Sequence, residues 1–172
     1  IVGSSKSSTN NKQQTINKSM EILIIFFLIL LNGVFSMSEI ALISARKSRL
    51  ETSAKKGNKQ AQTALDLANS PNKFLSTVQI GITLIGILTG IFSGDKITKD
   101  VELFVSGYEI LKPYANSVAV GIVVVVLTFF SLVLGELLPK RIGLNYPEAI
   151  AKAVAFPMKV VSIVTAPFIW LL

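Results

Sequence analysis

Residues 20–45, MEILIIFFLILLNGVFSMSEIALISA, decide the fold. From Ile22 to Leu31 every side chain is apolar, and the apolar character then runs on to Ala45 with only short polar interruptions. A run of this length exceeds the roughly 20 residues needed to cross the hydrocarbon region of a bilayer. Its apolar residues surround the helix instead of forming one stripe, which is the pattern of a helix in lipid. A secretory signal does not fit, because the apolar part is too long and a polar motif stands where a cleavage site belongs. Residues 20–45 therefore read as a membrane helix.

Two further blocks repeat the pattern. Residues 74–94 carry Gly81, Gly86, Gly90 and Gly94, the last three in overlapping GxxxG repeats that let another helix approach closely. Residues 114–138 hold the Val-rich run 118–127, and Pro139 is expected to end that span. With 51% of the chain hydrophobic, the expectation is an all-α membrane protein with three transmembrane helices. The flanks differ in kind. Residues 1–19 are polar, without periodicity, and read as a disordered tail or tag. Residues 46–70 read as one or two surface helices hinged near Gly57 and Asn58. Residues 147–172, amphipathic at first and then apolar but interrupted by Pro157 and Pro167, read as a juxtamembrane helix.

Charge sets the orientation and excludes some functions. The net charge of +7 would suit nucleic acid, but Lys and Arg flank the apolar blocks and no basic stripe interleaves with aromatics, so nucleic-acid binding is excluded. Between the first two blocks lie Arg46, Lys47, Arg49, Lys55, Lys56, Lys59 and Lys73; the next loop has Lys96, Lys99 and Lys112 against Asp95, Asp100, Glu102 and Glu109. The positive-inside rule puts the 46–73 loop in the cytoplasm and the amino terminus outside, in the cell membrane. There is no Cys and no His, so a bound metal must be a hard ion held by oxygen. Walker, GxSxG and HExxH signatures are absent, and no enzyme is expected.

The polar residues inside the blocks carry the functional signal. Asn32, Ser36 and Glu39 stack on one face of the first span, Thr77, Gln79 and Thr83 lie in the second, and Thr128, Ser131 and Gly135 lead to Glu136 in the third. A carboxylate inside a span costs on the order of 3 kcal/mol unless hydrated, paired or metal-bound, which makes Glu39 and Glu136 candidates. The plainer alternatives remain open. Glu136 can be neutralised by Lys140 or Arg141, and the hydroxyls can bond backbone carbonyls of their own helices.

The motifs Asn32-Gly33-Val34-Phe35-Ser36-Met37-Ser38-Glu39, Thr77-Val78-Gln79-Ile80-Gly81-Ile82-Thr83 and Gly135-Glu136-Leu137-Leu138-Pro139-Lys140 resemble the membrane domain of the CorC and cyclin M family of magnesium transporters. The resemblance covers about residues 20–172. It implies a homodimer of three-span protomers in membrane lipid, with cytosolic CBS domains following residue 172. It implies magnesium as the transported ion, with Ser36 and Glu136 as ligands and Gly135 beside them; Thr83 is a candidate oxygen ligand from the second span, and Glu39 is read as a second charge or gate. The second span departs from the pattern. Where magnesium-binding relatives carry asparagines, this chain has Ile82 after Gly81, which removes neutral oxygens from an ion that prefers six. The Gln-Ile-Gly-Ile-Thr form resembles a subgroup of proposed polyamine exporters. A divalent cation, magnesium first, is the leading reading; a polyamine, or a membrane anchor for cytosolic regulatory domains without transport, are the alternatives.

Overall fold

The computed structural model describes the backbone of residues 2–93 and 95–171 and the side chains of residues 19–92 and 97–170. Among the described residues every regular element is a helix and none is a strand. In order they form α1 (Val2–Ser44), α2 (Lys47–Lys55), α3 (Lys59–Asn69), α4 (Pro71–Ser93), α5 (Asp95–Val105), a 3-10 turn (Lys112–Tyr114), α6 (Ala115–Leu132), a π-helical segment (Val133–Leu137), α7 (Leu138–Asn145) and α8 (Pro147–Leu171). The backbone of residues 2–18, read from sequence as a polar tail, is helical, and the apolar span within α1 begins at Ser19.

Among the described residues four helical stretches, and not the three expected, are long and apolar enough to cross a membrane: Ser19–Ser44, Pro71–Phe92, Lys112–Asn145 and Pro147–Trp170. Two proline readings account for the difference. Pro139 does not end the third span. It falls at the start of α7, just after the π segment has shifted the hydrogen-bond register, where its missing N–H costs little. Pro157 and Pro167 do not break α8 either. Both lie on its exposed face, opposite a buried stripe of Ala151, Val154, Ala155, Met158, Ser162 and Thr165 at helical spacing. The packed side holds the helix together while each proline forgoes one bond on the outer side.

The expected surface helices are present as the pair α2 and α3. Gly57 turns the chain between them with a φ of 88°, a conformation costly for any residue with a Cβ. Asn58 then caps α3, its side-chain oxygen accepting the Ala61 N–H at 2.9 Å. This pair, the end of α1, the start of α4 and the first half of α8 enclose the best-packed core of the molecule. Leu50, Phe74 and Val78 are almost fully buried there, among Ala45, Ala64, Ala68, Ala151 and Ala155. Small alanines let five helices meet closely at the basic end of the bundle. Farther along the bundle, residues of α1, α4 and α6 line a cavity that is the candidate site.

Candidate functional site

The site is built on a helix that gives up its regular hydrogen bonding. In α6 the backbone passes into the π segment at Val133–Leu137, and two residues later comes Pro139. Having no N–H, Pro139 cannot make the α-helical bond to the carbonyl of Gly135. That carbonyl instead accepts the side-chain N–H of Asn32 in α1, at 3.1 Å. Two glycines make the approach possible. A Cβ on Gly135 would stand 3.2 Å from the Asn32 amide nitrogen, and one on Gly33 would stand 2.9 Å from Pro139 Cγ and 3.0 Å from the Leu134 carbonyl oxygen. A π turn within a helix often marks a functional position.

Beside this contact lies an open cleft of about 400 Å³ lined by α1, α4 and α6. Its polar lining is Asn32, Thr89, Thr128 and Ser131, and its apolar lining includes Ile82, Ile85, Val124 and Leu127. Gly86 and Gly90 form part of its wall, and a Cβ at either would meet nothing within 4 Å. The close helix approach that their spacing predicts is not made within the chain at these two positions; Gly94 lies outside the described residues. The glycines that do admit a neighbour are Gly33, Gly81, Gly135 and Gly143, with Gly81 against the Phe35 ring and Gly143 against Ile40 and the Met37 carbonyl.

The expected site residues are distributed as follows. Ser36 is buried on α1, 1% exposed, and its hydroxyl oxygen has no hydrogen-bond partner. Gly135 is buried under Asn32. Glu136 is partly exposed, and its carboxylate accepts from Lys140 at 2.6 Å, the neutralised arrangement that the sequence left open. Glu39 is half-buried on α1. Thr83 is exposed and outside the cavity lining, so it does not join Ser36. Thr77 is fully buried, bonded to the Lys73 carbonyl at 2.8 Å and close to Thr165 of α8. No three acidic side chains converge to hold a metal ion among the described residues. Thr89 was not anticipated; its sequence signal is a hydroxyl beside Gly90 and three residues after Gly86, on the face that the glycines keep open.

An α-helical bundle with several apolar spans is the architecture of a multi-pass membrane protein. A family model for the cyclin M transmembrane N-terminal domain matches residues 23–172, and the chain belongs to that family, whose members include CorC-like proteins. It is 52% identical over 153 residues to "UPF0053 protein sll0260" of Synechocystis sp., covering 89% of this chain and 34% of that protein. It is 33% identical over 149 residues to the "Polyamine export protein" of Escherichia coli K12, covering 87% of this chain and 33% of that protein. To "UPF0053 protein YhdT" of Bacillus subtilis the identity is 28% over 151 residues, or 88% of this chain and 33% of that protein. The chain thus spans about a third of the length of these relatives.

Proposed function

We propose that this domain is the membrane part of a cation exporter and that its cargo is a polyamine. The observation that carries the reading is the lining of the cavity. It combines neutral oxygens (Asn32, Thr89, Thr128 and Ser131) with aliphatic side chains (Ile82, Ile85, Val124 and Leu127). A polyamine carries both complements, aminium groups that donate hydrogen bonds and methylene runs that prefer apolar contact. Magnesium demands six oxygens near 2.1 Å in fixed geometry, and Ile82 faces the cavity where its binders place an amide oxygen. From sequence alone magnesium came first; the cavity favours the organic cation, as does similarity to relatives named as polyamine exporters.

Magnesium keeps one specific argument, the buried and unpartnered Ser36 hydroxyl, which a small dehydrated ion could satisfy. Thermal unfolding of the purified domain separates the two. Millimolar spermidine is expected to raise the midpoint and magnesium to leave it unchanged; the reverse order would establish magnesium, and a response to neither cation together with no flux into vesicles would leave the anchor reading.

The proposed orientation puts the α2–α3 end in the cytoplasm, the amino terminus outside and the protomers in a homodimer within the cell membrane. In this arrangement α8 lies across the cytoplasmic end and the spans number three. Its support is that Thr165, about five turns into α8, sits 3.4 Å from Thr77 in only the second turn of α4. The chain has no cysteine, so Ser53→Cys and Ser106→Cys are clean reporters. They are expected to label from opposite sides of intact cells, position 106 from outside, and labelling from one side would overturn the topology.

A further inference from the structure

We infer that the hairpin made by α5 and the turn after it is a lipid anchor, whose exposed apolar tip sits at the boundary between headgroups and acyl chains of the bilayer. This is an interaction surface separate from the cleft and independent of its cargo. The proposed orientation decides only that the leaflet is the outer one.

Residues 95–111 join α4 to the third apolar span. In α5 the residues Ile97, Val101 and Val105 recur every four positions and form an inner stripe. Ile97 shares an apolar groove with Leu127 and Phe130 of α6, and Val105 is buried. Glu102 accepts the side-chain N–H of Asn116 at 3.1 Å, which pins α5 back along the start of α6. The turn that follows is ordered by its own backbone. The Ser106 N–H donates to the Glu102 carbonyl at 2.8 Å, that of Tyr108 to Val105 at 3.1 Å and that of Leu111 to Tyr108 at 3.0 Å. A hairpin held this firmly still turns Leu103, Phe104, Tyr108, Ile110 and Tyr114 outward, with Ile110 90% exposed and Leu103 and Phe104 at 74% and 73%. An apolar patch of this kind needs a cover.

Depth identifies the cover. The third span is one helical run from Lys112 to Asn145, and Lys140 and Arg141 within it mark one membrane surface. From Lys140 back to Tyr114 is 26 residues, about 39 Å at the helical rise. A bilayer measures about 30 Å across its hydrocarbon and about 40–45 Å with its headgroup layers. Tyr114 and the tip beside it therefore fall in the opposite headgroup layer, short of bulk water. The tyrosines agree with this level. The chain has three: Tyr108 and Tyr114 at this end of the span and Tyr146 just past the other, all exposed. Such rings gather at both membrane surfaces, the ring toward lipid and the hydroxyl toward water. Glu109 and Lys112, exposed among the apolar residues, supply the polar side that stays with the headgroups. A second copy of the chain could cover apolar side chains too, but it gives no reason for tyrosines to collect at two levels one bilayer apart. Because α5 follows α4 and is bonded to α6, its anchor also steadies the far ends of two of the three helices that line the cleft.

This chain has no cysteine of its own, so single spin labels read depth directly. In phosphatidylcholine vesicles a label on Ile110→Cys is expected to meet oxygen more readily than a neutral nickel chelate. Its depth should lie between those of labels on Lys55→Cys, in water, and Val125→Cys, in hydrocarbon. Access to nickel at position 110 equal to that at 55 would put the tip in water, and access to neither reagent would put it under protein, such as a second copy; either result overturns the anchor. Replacing the outward pair, Leu103→Asp with Phe104→Asp, is expected to raise nickel access at 110 several-fold while the label at 125 reads as before, which shows that the bundle is intact. An unchanged reading at 110 would mean that packing on α6 alone sets the level of the tip, and would overturn the anchor as well.

Discussion

Four glycines at the α1 contacts and two in the wall of the cavity use the same residue for opposite ends. At Gly33, Gly81, Gly135 and Gly143 the hydrogen in place of a Cβ is filled at once by a neighbour, and helices come together as they do in the alanine-rich core at the basic end. At Gly86 and Gly90 an added Cβ would meet nothing within 4 Å. The first set converts small size into contact, the second into volume. One half of the bundle is thereby locked around α1 while the other half stays open enough to admit a guest. In lipid this division matters more than in water, because helices there associate through packing instead of through the hydrophobic effect.

The sharpest way to break the comparison is to add one methyl group on each side of it. Gly143→Ala drives a Cβ into Ile40 and to 2.9 Å from the Met37 carbonyl oxygen, a backbone atom that cannot rotate away. Overpacking of this kind costs about 1–3 kcal/mol and outweighs the gain of up to about 1 kcal/mol that alanine brings to a helix. Gly86→Ala meets nothing and keeps that gain, so it is expected to unfold at or above the wild-type temperature in detergent. Equal behaviour of the two variants would show that the two glycine sets do not differ. A smaller effect is expected at Ser36, which lies on the locked side but brings a hydroxyl without a partner. Ser36→Ala removes a buried unsatisfied oxygen and is expected to stabilise the empty domain by about 1 kcal/mol. A loss of stability that appears only with a cation present would instead make Ser36 a ligand.

The spans were legible because their signal is local: twenty apolar residues in a row mean lipid whatever packs beside them. Misjudging Pro139, Pro157 and Pro167 has a common cause, since proline breaks a helix only where its neighbours do not hold it. The holding came from a register shift in one case and from a buried opposite face in the other two, neither of which is written in the local sequence. The GxxxG spacing had the same weakness; it marks a smooth helix face and says nothing about whether the other side of that face is occupied. In the site, Asn32, Ser36, Thr128 and Ser131 could be named from polarity inside an apolar run. Thr83 could not be separated from them, because its exposure depends on the rotation of α4 about its axis. The Asn32–Gly135 bond joins residues 103 positions apart, and its existence depends on a π turn that no residue spacing announces.

Glu136 carries the prediction with the smallest expected effect on stability. Its carboxylate bonds Lys140 one turn away at 2.6 Å, with both side chains more than a third exposed. A pair of this kind contributes about 0.3–0.5 kcal/mol, so Glu136→Gln is expected to shift the unfolding midpoint barely, if at all. Transport is a different matter. The cavity lining holds no carboxylate, so a negative charge that draws cations toward it has to come from outside, and Glu136 follows directly on Gly135 beneath it. Glutamine keeps the shape, removes that charge and leaves Lys140 unopposed as a repelling cation. The expected result is a raised KM for cation transport with kcat little changed, and a difference from wild type that shrinks as salt screens charges beyond about 8 Å. A fall in kcat that persists at high salt would place the carboxylate in contact with the cargo during transport. A variant indistinguishable from wild type at every salt concentration would reduce Glu136 to a surface ion pair and leave recognition to the neutral oxygens of the open half.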